Sequence, residues 1–271
     1  MERNQLEGKV IIVTGGTGAF GYSFNHALAS EGATVIIIGR NEAKARSRAE
    51  EIKKAGGNAQ SFVADVLKEE QLASVRDAVI NHYGKIDGIV NAAGGNLPGG
   101  VVQPEQDVFN LDFNGIRDVI DLNLYGTLLP TQVFGKAMVS TSGRGSIVNI
   151  SSVSAHSALT KVLGYSLAKS AIESYTKWFS VELANRFGDA IRINAIVPGF
   201  FITEQNRTLL LQDDGNLSKR GTQVVNKTPF KRFGKPEELA GALVWLLSDS
   251  ASFVTGSSII IDGGFLAFSG V

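Results

Sequence analysis

Three side chains in residues 146–171, SIVNISSVSAHSALTKVLGYSLAKSA, have the types and spacing to move a proton to or from an alcohol oxygen: Ser152, Tyr165 and Lys169. A tyrosine hydroxyl, with a reference pKa of about 10, is too weak a base at neutral pH, but a nearby ammonium favours the phenolate. Lys169 stands four residues after Tyr165, so on a helix both project from one face toward one bound molecule. A serine hydroxyl can donate to the same substrate oxygen without ionising. By itself the Tyr-x-x-x-Lys pair fits equally a helix-face tyrosine beside a solvated lysine. The other elements of the chain decide between the two.

Those elements alternate. Residues 147–150 are a short β-rich run ending in two serines, followed by a loop and then the helix carrying Tyr165 and Lys169. Upstream, residues 9–14 contain Val10, Ile11, Ile12 and Val13 in unbroken succession, the pattern of a parallel strand buried on both faces. Gly15, Gly16, Gly18 and Gly21 come next, then a helical pattern of Phe20, Phe24, Ala27 and Leu28. Strand, glycine turn and helix form a diphosphate cradle, because missing side chains let phosphate reach backbone N–H groups at a helix start. The same glycines also suit a plain turn. A second strand at 34–38 ends in Gly39, Arg40 and Asn41, where an acidic residue would grip a ribose 2′-hydroxyl; arginine there favours NADP over NAD, or is simply a solvated loop residue.

Further strands are expected at 60–64, 86–90, 191–197 and 258–261, with helices at 42–55, 68–82, 113–138 and 236–247. This alternation predicts an α/β fold, a single-domain Rossmann-type doubly wound parallel sheet of about seven strands with helices on both faces. Ligands of such sheets bind beyond the carboxyl ends of the strands, which puts Asp65, Asn91 and Ser152 on one rim. Residues 95–110 can overhang that rim, and residues 200–230, without sustained periodicity, read as a substrate lid. The chain of 271 residues is 44% hydrophobic and can bury a large core as one domain, 1–271. Lys plus Arg and Asp plus Glu number 26 each, so no broad electrostatic footprint for nucleic acid or an anionic membrane exists. With no cysteine and three scattered histidines, neither a disulfide nor a metal centre is expected. A polar amino terminus and the absence of a long apolar run predict a cytoplasmic protein without a membrane span. The apolar carboxyl-terminal segment GFLAFSGV predicts a homo-oligomer, a dimer or tetramer.

With these pieces in place the whole chain resembles the short-chain dehydrogenase/reductase family. The resemblance rests on TGGTGAFG at 14–21, Asp65 with Val66, NAAG at 91–94, Asn123, Ser152, YSLAK at 165–169, Pro198 with Gly199 followed by Thr203, and VTGSSIIIDGG near the end. It implies a catalytic tetrad of Asn123, Ser152, Tyr165 and Lys169. Tyr165 would be the acid/base, Ser152 would polarise the substrate oxygen, and Lys169 would hold the nicotinamide ribose and lower the tyrosine pKa. Asn123 would hold a relay water. It further implies a cofactor site of Gly15, Thr17, Gly18, Phe20, Gly21, Arg40, Asp65, Val66, Asn91, Ala92, Pro198, Gly199, Phe201 and Thr203, besides Tyr165 and Lys169. Asp65 would meet the adenine, Asn91 the ribose region, and Phe201 with Thr203 the carboxamide. Two positions depart from the family pattern: Ala19 stands in place of a glycine, and Ala92 replaces a second asparagine, so a strand-stabilising side-chain bond is expected to be missing.

The implied activity is interconversion of a secondary alcohol and a ketone with NADP, NAD being possible. A catalytically silent nucleotide sensor is the rival reading, disfavoured by an intact tetrad. The polar and cationic rim residues Asn96, Lys161, Gln205, Asn206 and Arg207, together with Ser152, suit a hydroxylated substrate with a carboxylate, or else form a solvated loop surface. FFITEQNR and DGGFLAFSGV are similar to the branch of the family comprising D-mannonate oxidoreductase (fructuronate reductase) and gluconate 5-dehydrogenase. A sugar acid of the fructuronate/mannonate type is therefore expected, another polyol or a small ketone being the alternative.

Overall fold

The computed structural model describes residues 4–103, 105–204 and 206–270. Seven parallel strands form one sheet in the order β3-β2-β1-β4-β5-β6-β7. These are β1 (Val10–Thr14), β2 (Thr34–Gly39), β3 (Asn58–Val63), β4 (Gly88–Asn91), β5 (Gly145–Ile150), β6 (Ile191–Pro198) and β7 (Ser258–Ile261). The helices are α1 (Ala19–Ser30), α2 (Glu42–Lys54), α3 (Glu69–Tyr83), α4 (Phe113–Ile120), α5 (Gly126–Thr141), α6 (Leu163–Phe187), α7 (Arg207–Leu210), α8 (Lys219–Lys227) and α9 (Ala240–Leu247). Among the described residues no helix is long and apolar enough to cross a membrane.

β1 explains the layering. Its five residues are all buried: Ile11 and Val13 join Phe24 and Leu28 of α1 and Leu243 and Leu246 of α9, whereas Val10 and Ile12 join Leu72 and Val79 of α3 and Phe134 and Met138 of α5. Alternate side chains of one strand thus feed two cores, each buried aliphatic contributing about 1.5–3 kcal/mol. Chain order reverses between β1 and β4, so the loops after these two strands diverge and leave the crevice in which this fold places its ligands.

Where one helix is expected across 113–138, the structure has two, separated by a wider π-helical turn at Asp121–Tyr125. The Asn123 side chain donates to the Val119 carbonyl at 2.8 Å, and Pro130 inside α5 has no N–H for its i−4 partner. Both interrupt the regular ladder. The apolar tail also differs from expectation. Both Asp262 carboxylate oxygens accept backbone N–H groups, from Gly264 and Leu266 at 2.8 Å each, turning the chain so that Phe265 is buried against Phe200, with ring centres 5.1 Å apart. Phe265 is thus covered by its own chain, while Leu266 and Phe268 stay half-buried and Ala267 exposed.

Candidate active site

Helix α6 bears a row of polar side chains at 165, 169, 173 and 176, one face by the helical repeat, and three of them reach β5 or its end. Thr176 Oγ1 accepts from Asn149 Nδ2 at 2.9 Å, Glu173 accepts from Ser151 Oγ at 2.7 Å, and Lys169 Nζ donates to the Ile150 carbonyl at 2.8 Å. The fourth, Tyr165, is at the amino-terminal end of the row, beside Ser152. Lys169 Nζ lies 5.3 Å from the Tyr165 ring centre. Three residues separated in sequence by a loop are thereby brought to one point on the carboxyl rim of the sheet.

The electrostatics differ from expectation. Burial pushes the Tyr165 phenol above its ordinary value, and the neighbouring Ser152 hydroxyl opposes that shift without overcoming it. Burial lowers Lys169 to about 7. A low-dielectric site disfavours the ammonium and the phenolate alike, and Lys169 directs its donor to a carbonyl, so the expected lowering of the tyrosine pKa by the lysine is not realised. Tyr165 is held as a neutral phenol, the form that can give up a proton.

Asn123 is buried with its side chain bonded at both ends: Nδ2 to the carbonyls of Gly95 and Val119 at 2.8 Å each, Oδ1 to the Gly95 N–H at 3.0 Å. The side chain thereby ties the loop after β4 to the π-helical turn. Gly94 sits against it, since a β-carbon there would lie 2.6 Å from Asn123 Oδ1 and 3.4 Å from Lys169 Nζ.

Asn91, expected beside the ribose, points elsewhere. Its Nδ2 donates to Thr131 Oγ1 at 2.8 Å and to Asn149 Oδ1 at 2.9 Å, a buried bridge from β4 to α5 and β5. The strand-stabilising bond expected to be missing because of Ala92 is therefore supplied by Asn91. The rim after β4 is formed by residues 92–95.

The remaining residues fit a dinucleotide. Gly15 has φ +64°, and a β-carbon on it would stand 2.6 Å from the Ala92 carbonyl oxygen, so only glycine allows the loops after β1 and β4 to approach this closely. Gly18 caps α1 with no side chain and no acidic residue follows in the first turn, leaving a helix start suited to diphosphate. Gly21 packs on Gly16; Thr17 lies against Gly39, next to exposed Arg40 at the end of β2. Asp65 caps the Leu67 N–H at 3.0 Å and is followed by buried Val66. On the far side, Pro198 ends β6 and the Gly199 N–H bonds to the Ile261 carbonyl at 2.9 Å. Phe201 packs edge-on to Phe20 at 5.5 Å, joining the glycine loop to the segment after β6. Thr203 is half-buried in that segment, its N–H held by Asn206.

Of the substrate candidates, Asn206 is not free: Oδ1 accepts the Thr203 N–H and Nδ2 donates to the Phe201 carbonyl, each at 2.8 Å, so it braces the segment's own backbone. Gln205 lies outside the described residues. Arg207 is exposed at the start of α7, Asn96 has a buried Oδ1 without a partner, and Lys161 has φ +75°, uncommon for a side chain with a β-carbon. Arg220 was not anticipated: from α8 it donates to Thr160 Oγ1 at 3.1 Å, drawing the 200–230 segment to the loop before Tyr165. Glu173 was also missed, although its position four residues after Lys169 continues the Tyr165 face.

A doubly wound sheet with a glycine cradle at its switch point, and a serine, tyrosine and lysine gathered on the same rim, defines a dinucleotide-binding α/β protein. Comparison with known proteins gives the family. The family model described as enoyl-(acyl carrier protein) reductase matches residues 17–266. An uncharacterised oxidoreductase of Bacillus subtilis, UxuB, is 40% identical over 98% of both chains. A protein of Haemophilus influenzae, provisionally designated D-mannonate oxidoreductase and solved with bound NAD, superposes with a TM-score of 0.91 at 38% identity, covering 99% of this chain and 98% of that one. One from Beutenbergia cavernae, provisionally designated NAD(P)-dependent gluconate 5-dehydrogenase and carrying NADP at low occupancy, gives 0.84 at 29% identity over 97% and 98%. The chain belongs to the short-chain dehydrogenase/reductase family of NAD(P)-dependent oxidoreductases.

Proposed function

We propose that this oxidoreductase interconverts the keto group of a sugar acid of the D-fructuronate type and the secondary alcohol of its D-mannonate counterpart. The placement of the Tyr165 hydroxyl beside Ser152, with Lys169 behind the ring, carries the reaction type. Tyr165, a neutral phenol in this site, protonates the oxygen of the ketone, and Ser152 donates to the same oxygen and orients it. Lys169 holds the nicotinamide ribose and the tyrosine ring in register. Asn123 acts by fixing the loop after β4. The bound nicotinamide supplies the hydride. Gly15, Thr17, Gly18, Phe20 and Gly21 surround the diphosphate, Asp65 and Val66 the adenine, and the backbone at 92–95, Gly199, Phe201 and Thr203 the nicotinamide half. Arg40, exposed at the end of β2, pairs with a 2′-phosphate, so NADP is favoured over NAD.

The substrate class is supported by the similarity to the Haemophilus and Beutenbergia proteins and by the cationic groups at the rim. Lys161 or Arg207 binds the carboxylate, and Asn96 meets a hydroxyl. Residues 200–230 act as the lid, with Arg220 linking it to the rim. The exposed apolar side chains Trp178 and Val181 of α6, and Phe113 and Tyr125, support a homo-oligomer. The test compares fructuronate with fructose, using each reduced cofactor and following nicotinamide absorbance. The acid is the better substrate, and Lys161→Met or Arg207→Met raises KM for it alone. Equal efficiency on both sugars, with neither substitution raising KM, removes the sugar-acid assignment in favour of a polyol or small-ketone reductase.

A further inference from the structure

Glu173 is a buried carboxylate not used in the chemistry described above. Burying such a group costs several kcal/mol unless its oxygens are bonded, so an apolar residue would fill the same place more cheaply. Its oxygens are bonded from three parts of the chain. Oε1 accepts from Ser151 Oγ at 2.7 Å and meets His156 Nε2 at 2.9 Å. Oε2 accepts from Ser258 Oγ, the first residue of β7, at 2.9 Å. Ser151 and His156 bracket Ser152 on either side, and the short 3-10 turn between them, Val153–Ala155, is capped by the Ser152 hydroxyl itself. One side chain of α6 therefore grips both ends of the segment that carries Ser152. It does so two helical turns from Tyr165 on the same face.

We infer that Glu173 is a positioning residue that sets Ser152 against Tyr165, anchoring the serine turn to the helix that bears the tyrosine and to β7. The inference rests on the proposed roles of Ser152 and Tyr165. A misplacement near 1 Å in such a pair costs on the order of 10²-fold in rate, whereas loss of one of several buried hydrogen bonds in a core this size leaves the protein folded.

The experiment is a double-mutant cycle of Glu173→Gln and Ser152→Ala in the full chain, with urea midpoints and KM for the cofactor measured for every variant. Glu173→Gln keeps the shape of the side chain but presents an NH₂ to groups that need an acceptor. It lowers kcat roughly 10- to 100-fold, with KM for the cofactor changed less than about twofold. In the Ser152→Ala background the same substitution has little further effect on kcat, since its influence passes through Ser152. Ser151→Ala, which removes one strap and leaves the carboxylate, gives a smaller drop of the same kind. If Glu173→Gln lowers kcat by the same factor with or without Ser152, or lowers the urea midpoint while kcat holds, the inference is overturned. Tyr165→Phe serves as the separate check: wild-type turnover in that variant discards the reading of the site itself.

Discussion

Replacing Asn91 with alanine separates two accounts of this residue, because a cofactor ligand and a buried bridge fail differently. Asn91 Nδ2 is the donor to Asn149 Oδ1 and Thr131 Oγ1. Without it, the Asn149 oxygen is orphaned in a dry interior at a cost of about 1–3 kcal/mol, and the lost side-chain volume adds about 1 kcal/mol. Thr131 loses less, since its hydroxyl still donates to the Thr127 carbonyl at 2.8 Å. Asn91 Oδ1 has no partner of its own, so its removal gives back part of the cost. The net is a destabilisation of about 2–3 kcal/mol, or a fall in Tm of roughly 4–10 °C for a chain of this size. Urea denaturation measures the first, and fluorescence titration with the cofactor checks that its Kd is little changed. Asn149→Ala produces a similar loss, and the double variant loses less than the two together because the orphaned oxygen is gone. If Asn91→Ala loosened the cofactor tenfold while its urea midpoint stayed at the wild-type value, the bridge account would be refuted and the ribose contact restored.

Tyr165→Phe lowers kcat by roughly 10²- to 10⁴-fold, and titration shows reduced-cofactor binding nearly unchanged. Lys169→Met abolishes turnover yet stabilises the fold below neutral pH by about 1–3 kcal/mol, after the cost of leaving the Ile150 carbonyl unpaired. The sign follows from Lys169 titrating at about 7 when folded and at its ordinary 10.5 when unfolded: between those values the unfolded chain holds the extra proton, so wild-type stability rises with pH. The advantage of methionine is therefore full below pH 7 and shrinks toward 10.5, which denaturation at a series of pH values reads out. Arg40→Ala lowers kcat/KM with NADPH by tenfold or more, roughly the value of one charge-assisted pair, and leaves NADH as it was; equal losses with both cofactors would remove the 2′-phosphate contact. Gly94→Ala drives a β-carbon to 2.6 Å from Asn123 Oδ1 and reduces activity without a matching loss of secondary structure by circular dichroism.

The sequence by itself determined the class of fold and which elements carry Ser152, Tyr165 and Lys169. Unbroken β-branched runs suit strands covered on both faces, as β1 is, and the half-exposed edge strand β7 still occupies the very residues expected of it, Ser258–Ile261. The order of glycine turn, Ser152, Tyr165 and Lys169 along alternating strands and helices places them on one rim whatever the details of packing. Tertiary structure decided what those details do. Periodicity carries no sign of the π-helical turn at Asn123, because the break comes from a side chain competing for the Val119 carbonyl and from the fit of Gly94 against it. Asn91 reads as a rim residue by position, but the packing of β4 against β5 and α5 turns its amide inward. The same holds for the apolar tail, which a turn capped by Asp262 folds back over Phe200. The pKa values of Tyr165 and Lys169 were out of reach of sequence altogether. Spacing sets which charges are neighbours, but only the depth of burial decides whether desolvation or attraction prevails, and here desolvation does.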